Sequence, residues 1–209
     1  TLDSLRRSSG VASVLGSTTI STQGYGYDDA SRLKTVTSGD QSATYDYDAS
    51  AGELIAQVTF KQGATTRMTS PRHYDLARRL EWVKALNASS QEIFRASYGY
   101  NVLNQRTGVT REDGAQWVWG YNDRGEVTSG GKKFSDSTAH PVLQYGYGYD
   151  GIGNRITGTA GGTDSTHTST YSPNSLNQYS SRTVPALLSV TGEAAADASI
   201  AVQAKKPQR

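Results

Sequence analysis

A tyrosine motif returns along this chain every 20 to 28 residues, and no other feature limits the possible folds as strongly. Aligned on one tyrosine, the copies read "YGYDDASRLKTV" from Tyr25, "YDYDASAGELIAQV" from Tyr45, "RHYDLARRLEWV" from Arg72 and "YGYNVLNQRTGV" from Tyr98. They continue with "WGYNDRGEVTSG" from Trp119, "YGYDGIGNRITG" from Tyr147 and a degenerate "YSPNSLNQYSS" from Tyr171. The anchor positions are Tyr27, Tyr47, Tyr74, Tyr100, Tyr121 and Tyr149, with Tyr171 taken as the seventh. Self-similarity at such a spacing marks a repeat architecture, in which each unit completes its packing only against its neighbours.

Each unit combines an aromatic-x-Tyr pair, an Asp or Asn, a turn rich in Gly, Asn, Asp or Ala, and a short β-branched exit. Side chains alternate along a strand, so Tyr-x-Tyr sets two rings on one face, from which rows of rings are expected to stack across neighbouring strands. The Asp or Asn accepts main-chain hydrogen bonds just downstream, and a nearby Gly takes a positive φ, so the chain reverses. Exits such as Lys34-Thr35-Val36 and Val127-Thr128 supply the returning strand. The expectation is an all-β chain with one antiparallel hairpin per repeat and a curled or spiralling sheet. Residues 1–23 read as a lead-in or partial repeat, 24–182 as an array of about seven units, and 183–209 as an Ala-rich tail. The tail is expected to form a short helix near Glu193 to Ala204, or strands.

The stretch "YGYGYDGIGNRITG" from Tyr145 mimics a dinucleotide fingerprint through Gly146, Gly148 and Gly151. A fingerprint needs a helix after the glycine turn, and "IGNRITGTAGGTD" does not make one. These glycines are read as strand and turn residues.

At these residues the chain resembles the RHS or YD-repeat family of bacterial proteins, to which teneurin repeats and toxin-complex shell proteins are related. The resemblance runs from about Gly24 to Pro185 and includes "NSLNQYSSRTVP" from Asn174, similar to the Asn-Gln-Tyr segment near the end of bacterial arrays. It implies side-by-side hairpins in a partial β-shell that encloses or presents a toxin or effector. It also implies a secreted or cell-surface bacterial location, with any export signal outside these residues. The family's core segment with an aspartyl self-cleavage site has no counterpart after Pro185. Size adds a constraint. About fourteen strands at about 4.8 Å each span roughly 65 to 70 Å, and a ring of that circumference, roughly 20 Å across, does not hold a domain of about 100 residues with a radius of gyration near 13 Å. The expected partners are flanking repeats or copies of the chain at the sheet edges, with an enclosed toxin domain or surface glycans beyond them. Self-assembly into a filament or sheet and a glycan-binding adhesion module are the alternative functions.

His73, His140 and His167 are scattered, without ligand spacing, and no metal, cofactor or enzymatic activity is expected. "DSTHTST" around His167 lacks the features of a nucleophile elbow. Asp28-Asp29, Asp46 with Asp48, and Glu112-Asp113 recur with the repeat and are read as turn capping. "GGKKF" from Gly130 reads as a charged hairpin tip. Basic and acidic residues number 21 and 19 and are interspersed, so there is no nucleic-acid footprint, and no apolar run is long enough for a helical membrane span. Cysteine is absent, which removes disulfide and thiolate chemistry. Trp82, Trp117 and Trp119 remain as candidate glycan-stacking residues.

Overall fold

The computed structural model describes residues 1–162 and 166–185. The expected helix or strands of the tail lie outside the described residues. The described chain is all-β and contains no helix. Its strands are β1 (Gly10–Leu15), β2 (Thr18–Tyr27), β3 (Leu33–Ser38), β4 (Gln41–Tyr47) and β5 (Ile55–Gln62). Next come β6 (Thr65–Tyr74), β7 (Leu80–Asn87), β8 (Glu92–Tyr100), β9 (Arg106–Arg111) and β10 (Gln116–Tyr121). β11 (Val127–Lys133), β12 (Ala139–Tyr149), β13 (Arg155–Gly161), β14 (Thr166–Pro173) and β15 (Tyr179–Arg182) complete it. They form one 15-stranded antiparallel sheet in simple sequence order. Among the described residues each strand touches only the strands before and after it, so the sheet is a single open layer. Fifteen strands exceed the roughly ten that an open twisted sheet sustains without curling.

The register sorts the side chains into two unlike faces. One carries the row Tyr25, Val36, Ala43, Phe60 and Met68, paired strand to strand from β2 to β6. The other carries Gly26, Thr35, Thr44, Thr59 and Thr69 over the same strands. Alternation with period two makes one face apolar and the other a threonine surface. With no second layer, the apolar face is only partly covered by its own rings. The buried side chains are Val58, Ala96 and Ser169, and all three lie on that face.

The glycines of "YGYGY" are explained by the opposite face. Gly146 and Gly148 pair with Thr159 and Thr157, whose Oγ1 atoms occupy the space that a Cβ on either glycine needs. Gly26 meets Thr35 in the same way. "GGKKF" is a correction to the expected hairpin tip. Gly130 to Lys133 lie inside β11, and the reversal comes later, at Phe134 to Thr138. A Cβ on Gly130 would lie 3.2 Å from the Trp119 ring, so the strand runs close beneath that indole.

Candidate functional site

The repeated element is a turn built around one side chain. In Asp28 to Arg32, the Ser31 N–H donates to the Asp28 carbonyl and the Asp28 N–H donates to the Arg32 carbonyl. The Asp28 carboxylate accepts from the Arg32 N–H at 2.8 Å and from its Nε at 2.7 Å. Ser31 takes a φ of 62°. This is a type I turn closed by a residue in the left-handed region, a standard three-residue hairpin loop. The same bonds recur at Asp75–Arg79, Asn101–Gln105, Asn122–Glu126, Asp150–Asn154 and Asn174–Gln178. They also recur at Asp3–Arg7, inside the segment read as a lead-in, where Leu2 stands in the anchor position and hides the unit from a search for tyrosine.

The two ends of the turn are chemically matched. Where the first residue is Asp, an acceptor, the fifth is a donor, as in Asp75 with Arg79 Nε at 2.6 Å and Asp150 with Asn154 Nδ2 at 2.9 Å. Where the first is Asn, its Nδ2 donates and the fifth is Gln or Glu, as in Asn101 with Gln105 and Asn122 with Glu126, both at 2.6 Å. The main-chain N–H of Arg79, helped by its guanidinium, holds the Asp75 carboxyl below the usual range. The Arg7 N–H does the same for Asp3. The Asn154 amide, together with main-chain N–H groups, does it for Asp150. At Asp28 desolvation is the largest influence and acts upward, yet the combined donors of Arg32 leave the pKa lowered.

Successive turns are joined by the anchor tyrosines. Tyr47 Oη donates to the Leu33 carbonyl at 2.8 Å, Tyr74 to Ile55 at 3.0 Å, Tyr100 to Leu80 at 2.9 Å and Tyr149 to Val127 at 2.9 Å. Tyr27 reaches Ser8 at 2.8 Å and Tyr121 reaches Arg106 at 2.6 Å. Each acceptor is the residue that leaves the preceding turn. Burial pushes the Tyr74 and Tyr149 phenols up. Tyr171 differs. The turn at Asn174 makes Pro173 the equivalent of the six anchors, and Tyr171 falls at the first position of the aromatic-x-Tyr pair, two residues earlier. Its hydroxyl accepts from Arg155 Nη2 at 3.0 Å.

The expected ring-on-ring rows do not form between anchors. Three of the anchors instead carry an arginine from the preceding turn: Arg7 lies 4.4 Å from the Tyr27 centroid, Arg32 4.2 Å from Tyr47, and Arg79 4.8 Å from Tyr100. Anchors of adjacent repeats stand two strands apart, about 9.6 Å, beyond the roughly 4.5 to 7 Å of an aromatic pair. Before Tyr47 and Tyr100 the guanidinium of the intervening turn occupies that gap. It also bridges onward, with Arg7 donating to Ser31 Oγ, Arg32 to the Gly52 carbonyl and Arg79 to Asn104 Oδ1.

The three tryptophans fall on different faces. Trp82 pairs with His73 and Ser97 on the threonine face, where it stacks on His73 with centroids 5.5 Å apart. Trp117 and Trp119 lie on the apolar face of β10, and Trp117 stacks on Tyr145 at 6.2 Å. Phe94, Tyr98, Arg106 and Arg111 join them around a groove of about 490 Å³. Arg106 lies 4.1 Å from the Tyr98 centroid and Arg111 4.3 Å from that of Phe94.

The histidines remain apart. His73 Nδ1 meets Glu81 at 2.9 Å, His140 lies against Phe134, and His167 pairs with Ala160 across the strands. Among the described residues no His, Cys, Asp and Glu group has a metal-binding arrangement. The acidic pairs are spent on local bonds: Asp46 meets Lys34, Asp48 accepts from Ser50 and Ala51, and Asp113 accepts from Ala115.

No protein-family pattern and no curated protein sequence matches the chain. Among solved structures it is similar to the crystal structure of TcdB2-TccC3-TEV, at 17% identity and a TM-score of 0.56. That match covers 81% of this chain and 9% of the other, so this chain spans less than a tenth of that protein's length. At this identity the likeness is one of fold. TcdB2-TccC3-Cdc42 aligns at 14% identity and a TM-score of 0.48, over 76% of this chain and 10% of that one. A porin-like protein from Bacteroides uniformis aligns at 15% and 0.36, over 80% and 60%. Neither reaches a TM-score of 0.5.

Proposed function

We propose that this chain is a non-enzymatic structural segment of a secreted or cell-surface bacterial RHS-repeat protein, one strip of a β-shell that encloses or presents a toxin or effector. The observation that carries this reading is the way each repeat is completed by the next. A tyrosine hydroxyl of one unit satisfies the carbonyl that leaves the preceding turn, as Tyr100 does for Leu80, and the guanidinium of that turn packs on the same ring. Such nearest-neighbour coupling builds an extendable wall. The open single layer, with β1 and β15 as its two edge strands, supports a role in which other polypeptide covers those edges. The fold likeness to a small part of a much longer chain is in keeping with it.

The edges supply the partners in this reading. β1 is an edge strand with Val11, Val14 and Leu15 exposed, and the unpaired main-chain groups of its outer side invite strand addition. The isolated chain is therefore expected to associate, and light scattering against concentration tests it. A mass that rises above the monomer supports the proposal, whereas a stable compact monomer at high concentration overturns it. Electron microscopy then distinguishes curved fragments, expected of a shell strip, from long fibres, which favour the self-assembling filament.

A further inference from the structure

From the groove over β8 to β11 we infer that the apolar face carries a binding site for an acidic saccharide, centred on Trp117, Trp119 and Arg106. The inference is independent of the shell reading, because it rests on side chains that the turn and latch system does not need.

Three observations meet here. First, the lining alternates flat rings with polar groups. Trp117 and Trp119 are two residues apart on one strand and share a face, so their indoles are neighbouring platforms about 7 Å apart along β10. Both are half-buried. A sugar ring offers a matching flat C–H face with hydroxyls at its rim.

Second, the charge is unevenly committed. Glu112 and Asp113 also line the groove, but both are engaged. Glu112 accepts from the Arg95 N–H at 3.1 Å and pairs with Arg111 Nε at 3.4 Å, and Asp113 accepts from the Ala115 N–H at 2.8 Å. Among the described residues Arg106 has no carboxylate within ion-pair distance, although it is exposed at the groove and rests on Tyr98. A guanidinium stacked by its face keeps its in-plane N–H fork for a ligand, and a carboxylate fits that fork bidentately. The acidic saccharide is chosen over a neutral one for this reason.

Third, the sheet makes room for the rings. Gly130 pairs with Trp119, and a Cβ there would press on the indole at 3.2 Å, so β11 lies low beside the platform. Trp82, on the opposite face with His73 and Lys84, is outside the site and serves as an internal control.

The test uses the full chain, with calorimetry and tryptophan fluorescence as readouts. The probes are an oligogalacturonate, a neutral cello-oligosaccharide of the same length and poly-L-glutamate. The oligogalacturonate is expected to bind saturably and perturb the fluorescence, at least tenfold more tightly than either of the others. Arg106→Gln keeps the main-chain carbonyl used by Tyr121 and is expected to weaken binding at least tenfold with an unchanged circular dichroism spectrum. Trp119→Phe is expected to weaken binding as well, and Trp82→Phe to leave it unchanged. The site is overturned by absence of saturable oligogalacturonate binding, by equal affinity for the neutral sugar or poly-L-glutamate, or by full binding in both Arg106→Gln and Trp119→Phe.

Discussion

The Tyr100 hydroxyl donates to the main-chain carbonyl of Leu80, 2.9 Å away and 20 residues earlier. The bond ties the end of β8 to the start of its neighbour β7, just beyond the last ladder pair of the two strands, Trp82 with Ser97. It also satisfies a carbonyl displaced by the bulge that follows each turn. Removing the hydroxyl and removing the ring are therefore separable experiments. Tyr100→Phe is expected to cost about 1 kcal/mol, the net value of one hydrogen bond. Tyr100→Ala also loses the ring under Arg79, at about 2 to 3 kcal/mol, below the roughly 3 to 5 kcal/mol of a fully buried ring because Tyr100 is half-buried. Tyr179→Ala, with a ring that is 50% exposed, is expected to cost less. Denaturant titration measures all three, and equal midpoints for Tyr100→Ala and Tyr179→Ala refute the latch.

Gly148 and Thr157 compete for one volume on the threonine face. Gly148→Ala is expected to destabilise by about 1 to 3 kcal/mol, the range of overpacking. Thr157→Ala removes the Oγ1 that clashes, so the double variant should recover much of the loss. A double-mutant cycle with a coupling of at least about 0.5 kcal/mol is expected, and strict additivity contradicts the packing argument.

The left-handed position of the turn offers a comparison within one molecule. Arg78 has a φ of 62°, whereas Gly125 takes the equivalent place with a φ of 82°. Arg78→Gly is expected to stabilise by up to about 1 kcal/mol, because a side chain there carries strain that glycine lacks. Gly125→Ala is expected to destabilise by at least about 1 kcal/mol, as its Cβ would also approach Gln105 Nε2 to 2.9 Å. Thermal melts that move in the same direction for both variants contradict the assignment.

Matched turn ends make the array sensitive to pH. The lowered carboxyl pKa values of Asp3, Asp28, Asp75 and Asp150 contribute stability that is present above the unfolded value near about 3.9 and is lost as pH falls through the folded values. Asp75→Asn removes one such contribution, so its stability should fall less steeply below about pH 4 than that of the parent.

A mismatch should reverse the sign. Asn122→Asp sets a carboxylate against Glu126, where an amide now donates at 2.6 Å. The repelling pair has a raised folded pKa, so the variant should be destabilised at neutral pH and regain stability as the pH falls through that raised value. Urea midpoints at neutral and mildly acidic pH measure this, and a penalty that grows on acidification sinks the idea.

Local chemistry was legible in the sequence because it acts within a few residues. An Asp or Asn followed by a donor or acceptor four positions later fixes a reversal, and alternation with period two fixes two unlike faces, so the meander of hairpins follows from the chain alone. The same i, i+4 signal finds the unit at Asp3 and Arg7, which alignment on tyrosine misses, and it aligns Pro173 with the anchors in place of Tyr171. The tertiary structure decided what lies across two strands. Arg32 between Tyr27 and Tyr47, and Trp82 on the opposite face from Trp117 and Trp119, depend on strand register and on the bulge after each turn. Those contacts join residues about twenty positions apart through loops of unequal length, and spacing along the chain does not encode which side chain fills the gap of about 9.6 Å between repeats.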